Sequence, residues 1–178
     1  MKKIEVRVVL GSNYGDECKG LATKFFTEQA KPDKKCLNVL FNGGCQRGHT
    51  VELKDGTRHV FHHFGSGTFS GADNYFDSLF IVNPIFFVDE LDKISNVVQP
   101  KCFASRYCRV STPYDIFINQ IVENSRGENR HGSCGCGIWE TVDRYISKNP
   151  IGILSYNLGE MFSFSDLELQ IILKAIAE

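Results

Sequence analysis

The chain has 178 residues, 42% of them hydrophobic and 23% charged, with a formal net charge of −1. That balance belongs to a folded globular chain and excludes a disordered one; it leaves no basic footprint for nucleic acid. No run approaches the ~18 apolar residues that a membrane span needs. The opening MKKIEVRVVL lacks the long apolar region and small-residue cleavage site of a secretory leader, so a cytoplasmic location is expected. Seven cysteines, odd in number and irregular in spacing, do not read as a disulfide framework. Cys134 and Cys136 are separated by one residue and Cys102 and Cys108 by five, neither being the spacing of paired structural zinc ligands. Buried free thiols are the expectation.

In chain order, residues 3–10 alternate and then run apolar, which predicts a strand entering a core. Gly11 to Gly20 form a glycine-punctuated turn. Residues 21–28 read as a helix, with Leu21 and Phe25, and Ala22 and Phe26, at spacings of four. Strand, glycine loop and helix in succession is where open α/β folds place phosphate groups. A second strand is expected over 36–42, running into Gly43 and Gly44 and a polar turn that ends at Val51. Residues 51–53 and 58–62 flank Lys54-Asp55-Gly56-Thr57, a hairpin around an Asp-Gly turn.

Residues 80–82 and 85–88 are apolar, and Pro84 after Asn83 favours a helix start, leaving Asp89 and Glu90 exposed. Residues 108–111 predict a strand and 115–125 a helix with Ile118, Ile121 and Val122 on one face. Residues 126–137 form a loop with four glycines. The amphipathic tail over 165–177 predicts a helix capped by Ser163 or Ser165. With no repeat, low-complexity tract or linker, residues 1–178 read as one domain of α/β class, a mostly parallel central sheet with glycine-rich phosphate loops.

Two loops concentrate the chemistry. In the first, Gly15, Asp16, Glu17, Cys18, Lys19 and Gly20 combine a carboxylate pair, a lysine and glycines whose amides can approach phosphate oxygens. Lys19 supplies a point charge, and Asp16 suits a base or a magnesium ligand. The alternative is a tight turn with solvated charges, since the lysine does not directly follow the second glycine as in the common P-loop pattern. The second loop, from Gly43 to Thr50, follows the second strand. In a parallel sheet it lies beside the first, where His49 can donate a hydrogen bond or a proton.

Gly15-Asp16-Glu17-Cys18-Lys19-Gly20 resembles the G-D-E-G-K-G signature of adenylosuccinate synthetases, with Cys18 for a glycine. Gly43-Gly44-Cys45-Gln46-Arg47-Gly48-His49-Thr50-Val51 is similar to the family's G-G-x-N-A-G-H-T-V. Residues 62–67, HHFGSG, are similar to its H-x-x-P-S-G. Asp89-Glu90 after Asn83-Pro84 falls where the family has a D-P…E segment, and residues 132–138, GSCGCGI, resemble its G-T-T-G-R-G-I. The five motifs stand in the family's order, which is more specific than any one of them.

The resemblance implies a P-loop-NTPase-like fold and a homodimeric, magnesium-dependent ligase that joins L-aspartate to IMP using GTP. In such enzymes an aspartate takes the purine N1 proton while O6 attacks the γ-phosphate; the amine of L-aspartate then displaces phosphate at C6. Asp16 matches the base and a Mg2+ ligand, His49 the acid, and the Gly48 carbonyl a second Mg2+ ligand. Nucleotide contacts map onto Gly15, Asp16, Glu17, Cys18, Lys19, Gly20, Gln46, Arg47, Gly48, His49, Thr50, Ser133, Cys134 and Arg144. Cys134 is a far weaker donor than the family's threonine hydroxyl, and Cys136 replaces an arginine. The string 132–141, GSCGCGIWET, is similar to a divergent branch of 2-aminoadenylosuccinate synthetases that use dGMP. The phage members of that branch carry serine at the base position, whereas Asp16 remains here and favours IMP. ATP in place of GTP, (d)GMP in place of IMP, and a non-catalytic nucleotide-binding remnant stay open. The family's aspartate-binding loop and guanine-reading segment have no counterpart after Arg144, so the chain is expected to be incomplete relative to the family.

Overall fold

The computed structural model describes residues 4–13, 15–30, 34–147 and 166–168. The elements run α1 (Lys19–Glu28), β1 (Leu37–Leu40), β2 (His49–Glu52), β3 (Arg58–Phe61), β4 (Asp73–Phe76), β5 (Ile81–Val82), α2 (Pro84–Ile94), β6 (Cys102–Ser105), β7 (Arg109–Val110), α3 (Pro113–Ser125), α4 (Ile138–Ser147) and β8 (Asp166–Glu168). The central sheet has the order β1-β4-β6-β8. Its first three strands are parallel and β8 is antiparallel to β6. Past their ends the chain kinks and re-pairs in the same order, with Gly44 bridging Ile81 and β5 pairing with β7 in parallel. The fold is therefore α/β with a mostly parallel sheet, as the sequence predicts. No helix among the described residues is long and apolar enough to cross a membrane.

Several local expectations hold. The hairpin β2–β3 is antiparallel and turns at Gly56, whose φ of +87° suits glycine. Asn83 caps α2 by accepting the Phe86 amide at 3.1 Å, with Pro84 in the first turn. The 115–125 helix begins two residues earlier, where Thr112 and Asp115 form a reciprocal capping box.

Others are corrected. Residues 4–10 form no strand: Ile4, Val6, Val8 and Leu10 are 65–85% exposed, and Arg7 lies over the Phe26 ring of α1. An alternating pattern becomes a strand only where an edge accepts its ladder, and this segment is paired with none. In α1 the expected apolar stripe faces outward, with Leu21 and Phe25 exposed. Small and polar positions pack instead: Gly20 against His49 and Ser66, and Thr27 against Gly67. Of the expected tail helix, Asp166–Glu168 are strand β8, because the open edge of β6 offers backbone partners to an extended segment; the rest lies outside the described residues. The strands β4 and β6 and the helix α4 were not expected.

The core is largely aromatic. Phe61, Phe64, Phe76, Phe80 and Phe87 are fully buried, with Leu40, Val51, Val82, Ile94 and Val110 around them. Phe64 stacks on Phe87 with centroids 5.0 Å apart, and Phe76 meets Phe80 at 5.2 Å.

Glu90, expected to be exposed, is instead 3% exposed among these rings. Its carboxylate accepts the amides of His62 at 2.8 Å and His63 at 2.6 Å, with the His59 ring at 3.4 Å. Nδ1 of His63 stands 3.3 Å from the same carboxylate, while its Nε2 accepts the Asn83 amide at 3.1 Å. Burial pushes the Glu90 pKa upward, but the bonds from His59 and His63 outweigh it and bring it to about 2. Lowered in the folded state, this group contributes stability above its unfolded pKa of ~4.3. That stability is lost as pH falls through the folded value. Glu90→Gln is expected to destabilise the fold by about 2–4 kcal/mol near neutrality. It should also flatten the loss of unfolding free energy between pH ~4.5 and ~2. Urea titrations across that range check both; an unchanged slope would remove Glu90 as the source.

Candidate functional site

Three loops meet beyond the carboxyl end of β1. The first precedes α1 and is tightly wound. Gly15 has φ +131°, and Asp16 and Cys18 are non-glycine residues at φ +54° and +59°, a conformation that side chains adopt at a cost of about 1 kcal/mol or more. Into this curve folds the Glu17 side chain. Its Oε1 accepts the backbone amide of Ser12 at 2.6 Å and that of Asn13, and its Oε2 meets Lys19 Nζ at 2.6 Å. The Lys19 bond, then the Asn13 amide, hold the Glu17 pKa at about 2. The loop is thus an oxyanion cradle, occupied by a carboxylate of its own chain. Asp16 stands exposed beside it.

The second loop is joined to the first by a close approach. A methyl group at Gly20 would lie 3.0 Å from His49 Cβ and 2.9 Å from Ser66 Oγ, so the start of α1 rests closely on the start of β2 and a side chain here would require Ser66 and His49 to shift. This brings Lys19 and His49 into one neighbourhood. Burial lowers the His49 pKa, with the charges of Arg47, Lys19 and His62 acting in the same direction. Gln46, Gly48 and Thr50 are exposed along the loop. Arg47 turns inward: its guanidinium donates to the carbonyls of His62 (2.8 Å) and His63 (3.0 Å) and lies 4.7 Å above the Phe80 ring. Desolvation lowers its pKa to about 10. His62 returns the bond, its Nδ1–H donating to the Arg47 carbonyl. The loop and the 62–67 turn are clamped together.

The third loop, 130–137, is carried by α3. That helix buries a polar stripe, Asp115, Asn119 and Glu123, and exposes Ile118, Ile121 and Val122, the reverse of the expected face. Glu123 accepts the amides of Gly132 (3.2 Å) and Ser133 (3.4 Å), and Asn119 Oδ1 accepts the Ser133 hydroxyl at 2.7 Å. The stripe serves as a mould for the loop. Gly137, at φ +66°, passes so near the first turn of α3 that a methyl there would lie 2.4 Å from the Asp115 carbonyl carbon. Gly44 in turn nearly touches Ile138, so the second and third loops are neighbours. Cys134 is exposed and Cys45 buried at that junction.

Arg144 is drawn away from the loops' open side. It is 9% exposed on α4 and holds Asp115 through two bonds, 2.9 and 2.8 Å, with a third to the Val110 carbonyl at 2.8 Å. The polar face of α3 was readable as Asp115, Asn119 and Glu123 at spacings of four; the apolar residues between them masked it. A cleft of about 560 Å³, lined in part by Lys34, Lys35 and Lys101, lies elsewhere, at the amino ends of β1, β4 and β6. None of the residues that line it belongs to the three glycine loops.

Breaking the buried pair by Arg144→Met should cost about 3–5 kcal/mol, because Asp115 is left without its counter-charge, with only the Thr112 bonds remaining. Arg144→Met with Asp115→Asn should recover more than half of that loss. Chemical denaturation of both variants decides; equal losses would mean that the stranded Asp115 charge is not the source of the cost.

Comparison with known proteins bears on the family and the fold. The adenylosuccinate synthetase family model matches residues 8–171. The adenylosuccinate synthetase of Syntrophobacter fumaroxidans is 32% identical over 151 residues, covering 82% of this chain and 34% of that protein. That of Azobacteroides pseudotrichonymphae is 29% identical over 168 residues, 91% of this chain and 38% of its own. The chain thus spans little more than a third of the length of the curated relatives it matches. Among solved structures, the fully ligated adenylosuccinate synthetase of Plasmodium falciparum superposes with a TM-score of 0.68 at 19% identity, over 94% of this chain and 39% of that one. A cyanophage S-2L succinoaminodeoxyadenylate synthetase bound to dGMP and dATP gives 0.63 at 18%, over 84% and 39%.

Proposed function

Because this chain belongs to the adenylosuccinate synthetase family, we propose that it forms the nucleotide-handling part of a purine-biosynthesis ligase that joins L-aspartate to IMP at the expense of GTP. The observation that carries this reading is the oxyanion cradle of Ser12, Asn13 and Lys19 beside His49. A site of this kind suits phosphoryl transfer, which needs positioning and charge neutralisation more than covalent chemistry.

In this proposal Asp16, exposed at the lip of the cradle, takes the N1 proton of the purine as O6 attacks the γ-phosphate. His49 donates a hydrogen bond to the oxygens that gain charge, and Lys19 exchanges its Glu17 partner for phosphate. The amide-rich stretch Gly15–Gly20 and the exposed backbone from Gln46 to Thr50 line the triphosphate, while Ser133 and Cys134 face the monophosphate. Arg47 and Arg144 contribute as supports, since their guanidinium groups are bonded inward. Magnesium fits the donors present: it takes one or two carboxylates along with phosphate and water oxygens, and Asp16 and Gly48 are exposed residues on neighbouring loops. There it would neutralise charge on the transferred phosphate. L-Aspartate, the guanine base of GTP and the second subunit of a homodimer would be met by parts of the family's length that this chain does not span.

A second reading, a ligase acting on (d)GMP with GTP or ATP, is favoured by Cys134 and Cys136, which give the third loop a softer, less charged surface than a hydroxyl and an arginine would.

In the complete enzyme, Asp16→Asn is expected to lower turnover by roughly 10² or more with the fold intact. His49→Gln should cost about 10²–10³ in kcat and spare nucleotide affinity. Steady-state kinetics check both. Wild-type turnover from the Asn variant removes Asp16 from the chemistry, and equal losses of rate and affinity make His49 a binding residue. A panel of IMP, dIMP, GMP and dGMP with GTP or ATP identifies the accepted nucleotide: use of IMP with GTP alone defeats the second reading, and use of dGMP alone defeats the first. Tight GTP binding without any succinyl-purine product would leave a non-catalytic remnant.

A further inference from the structure

We propose that Asn42 is a modification site at which the chain cyclises on itself and, by taking up water, exchanges a side-chain amide for a carboxylate, with isoaspartate as the main product. This goes beyond the ligase reading and does not depend on it.

Asn42 is the only asparagine of the chain that is followed by glycine. Its side-chain carbonyl carbon and the Gly43 backbone nitrogen are covalent neighbours, so a five-membered ring can close without help from tertiary structure. Gly43 has no Cβ to crowd the approach. Folding can only permit or forbid this reaction, and here it permits it. Asn42 stands exposed at a bend between the end of β1 and the Gly44–Ile81 bridge. Among the described residues neither its side-chain amide nor the Gly43 N–H has a hydrogen-bond partner. The stretch is nonetheless anchored on both sides: the Leu40 carbonyl accepts the Asp77 amide at 2.9 Å, and the Gly43 carbonyl the Ile81 amide at 2.8 Å. Asp55-Gly56, the only Asp-Gly pair in the chain, supplies the contrast. There Oδ1 of Asp55 accepts the Thr57 amide at 2.9 Å and the Gly56 N–H donates to the Leu53 carbonyl at 3.0 Å, so the turn commits both partners elsewhere. Asn38 and Asn74 are buried and bonded to each other at 3.2 Å.

The chemistry needs no partner but water. The Gly43 nitrogen attacks Cγ of Asn42 and gives up its proton; the bond from Cγ to the side-chain nitrogen breaks, ammonia leaves and a succinimide closes. Water then opens the ring at one of its two carbonyls. Addition at the Asn42 main-chain carbonyl breaks its bond to the Gly43 nitrogen and leaves isoaspartate, with the backbone routed through Cγ. Addition at Cγ leaves aspartate. One water is consumed and one ammonia released, and nothing is oxidised or reduced. Either product places a negative charge at the root of the second glycine loop. Isoaspartate also lengthens the main chain by a carbon between the two anchoring hydrogen bonds of Leu40 and Gly43.

The test incubates the whole chain in warm, mildly alkaline buffer and follows it by proteolysis and tandem mass spectrometry. Synthetic peptides of residues 38–47 and 51–60 serve as unfolded references. An endoproteinase that cuts before aspartate but not isoaspartate separates the two products. The expected result is a gain of about 1 Da that appears first at Asn42, at a rate comparable with that of its peptide. Isomerisation at Asp55 should run roughly tenfold or more slower in the chain than in its peptide, because the turn denies it the reactive orientation. Asn42→Gln, whose ring would need six members, should lose the early mass gain while its circular dichroism stays that of the parent chain. A rate at Asn42 roughly tenfold or more below that of its peptide would overturn the proposal. So would a first mass gain at another asparagine, an unchanged gain in Asn42→Gln, or equal rates at Asp55 in chain and peptide.

Discussion

The Glu90 carboxylate is the point on which the candidate site hangs. A charged group that is 3% exposed among five phenylalanines survives there only because donors converge on it from the neighbouring turn. Two of those donors are backbone amides, so α2 fixes the path of the chain at His62 and His63 rather than one side chain. The carbonyls of the same two residues then hold Arg47, and the His62 ring holds the Arg47 carbonyl. A single carboxylate in a helix thereby reaches the second glycine loop through one intervening turn. His49 inherits its place from that chain of bonds.

The same logic, polar groups buried to shape backbone, recurs in α3. Helices usually turn an apolar face inward, and α3 and α1 do the opposite along much of their length. Asn119 and Glu123 are turned inward to hold loop amides and a hydroxyl, and Asp115 to hold Arg144, while isoleucines face outward. In α1 glycine and threonine occupy the contact face because β2 and the 65–70 turn approach too closely for larger residues. Both helices act as templates for loops more than as walls of the core.

This explains what the sequence made legible. The glycine loops, the Asp-Gly hairpin and the start of α2 at Pro84 follow from local rules: left-handed turns, capping, and the fixed φ of proline. They needed no knowledge of the partner. The strands β4 and β6 escaped because four residues such as Asp73-Asn74-Tyr75-Phe76 carry no period to read, and Asn74 is a buried hub for Gly65, Thr68 and Asn38 rather than a surface residue. Apolar periodicity misassigned the faces of α1 and α3 because it assumes that burial means hydrophobic burial. Residues 4–10 have the pattern of a strand, yet they pair with no strand of the described sheet. Of the candidate site, the nearness of the loops that carry Lys19 and His49 was readable and the inward turn of Arg47 and Arg144 was not, since an arginine's partner is decided by tertiary packing.

Gly20 and Gly137 give the site a division of labour that bears on how it can change over generations. Both act by what they lack: a methyl at 137, where φ is +66°, would collide with the backbone of Asp115 and Ile116, and one at 20 would press on the side chains of Ser66 and His49. The distance between loops is therefore set in part by two missing side chains, whereas the chemical surface of the loops is encoded in exposed residues such as Gln46 and Cys134. Spacing and surface chemistry sit on different positions. A lineage can exchange the outward residues one at a time on an unchanged frame, while a side chain at Gly137 meets backbone.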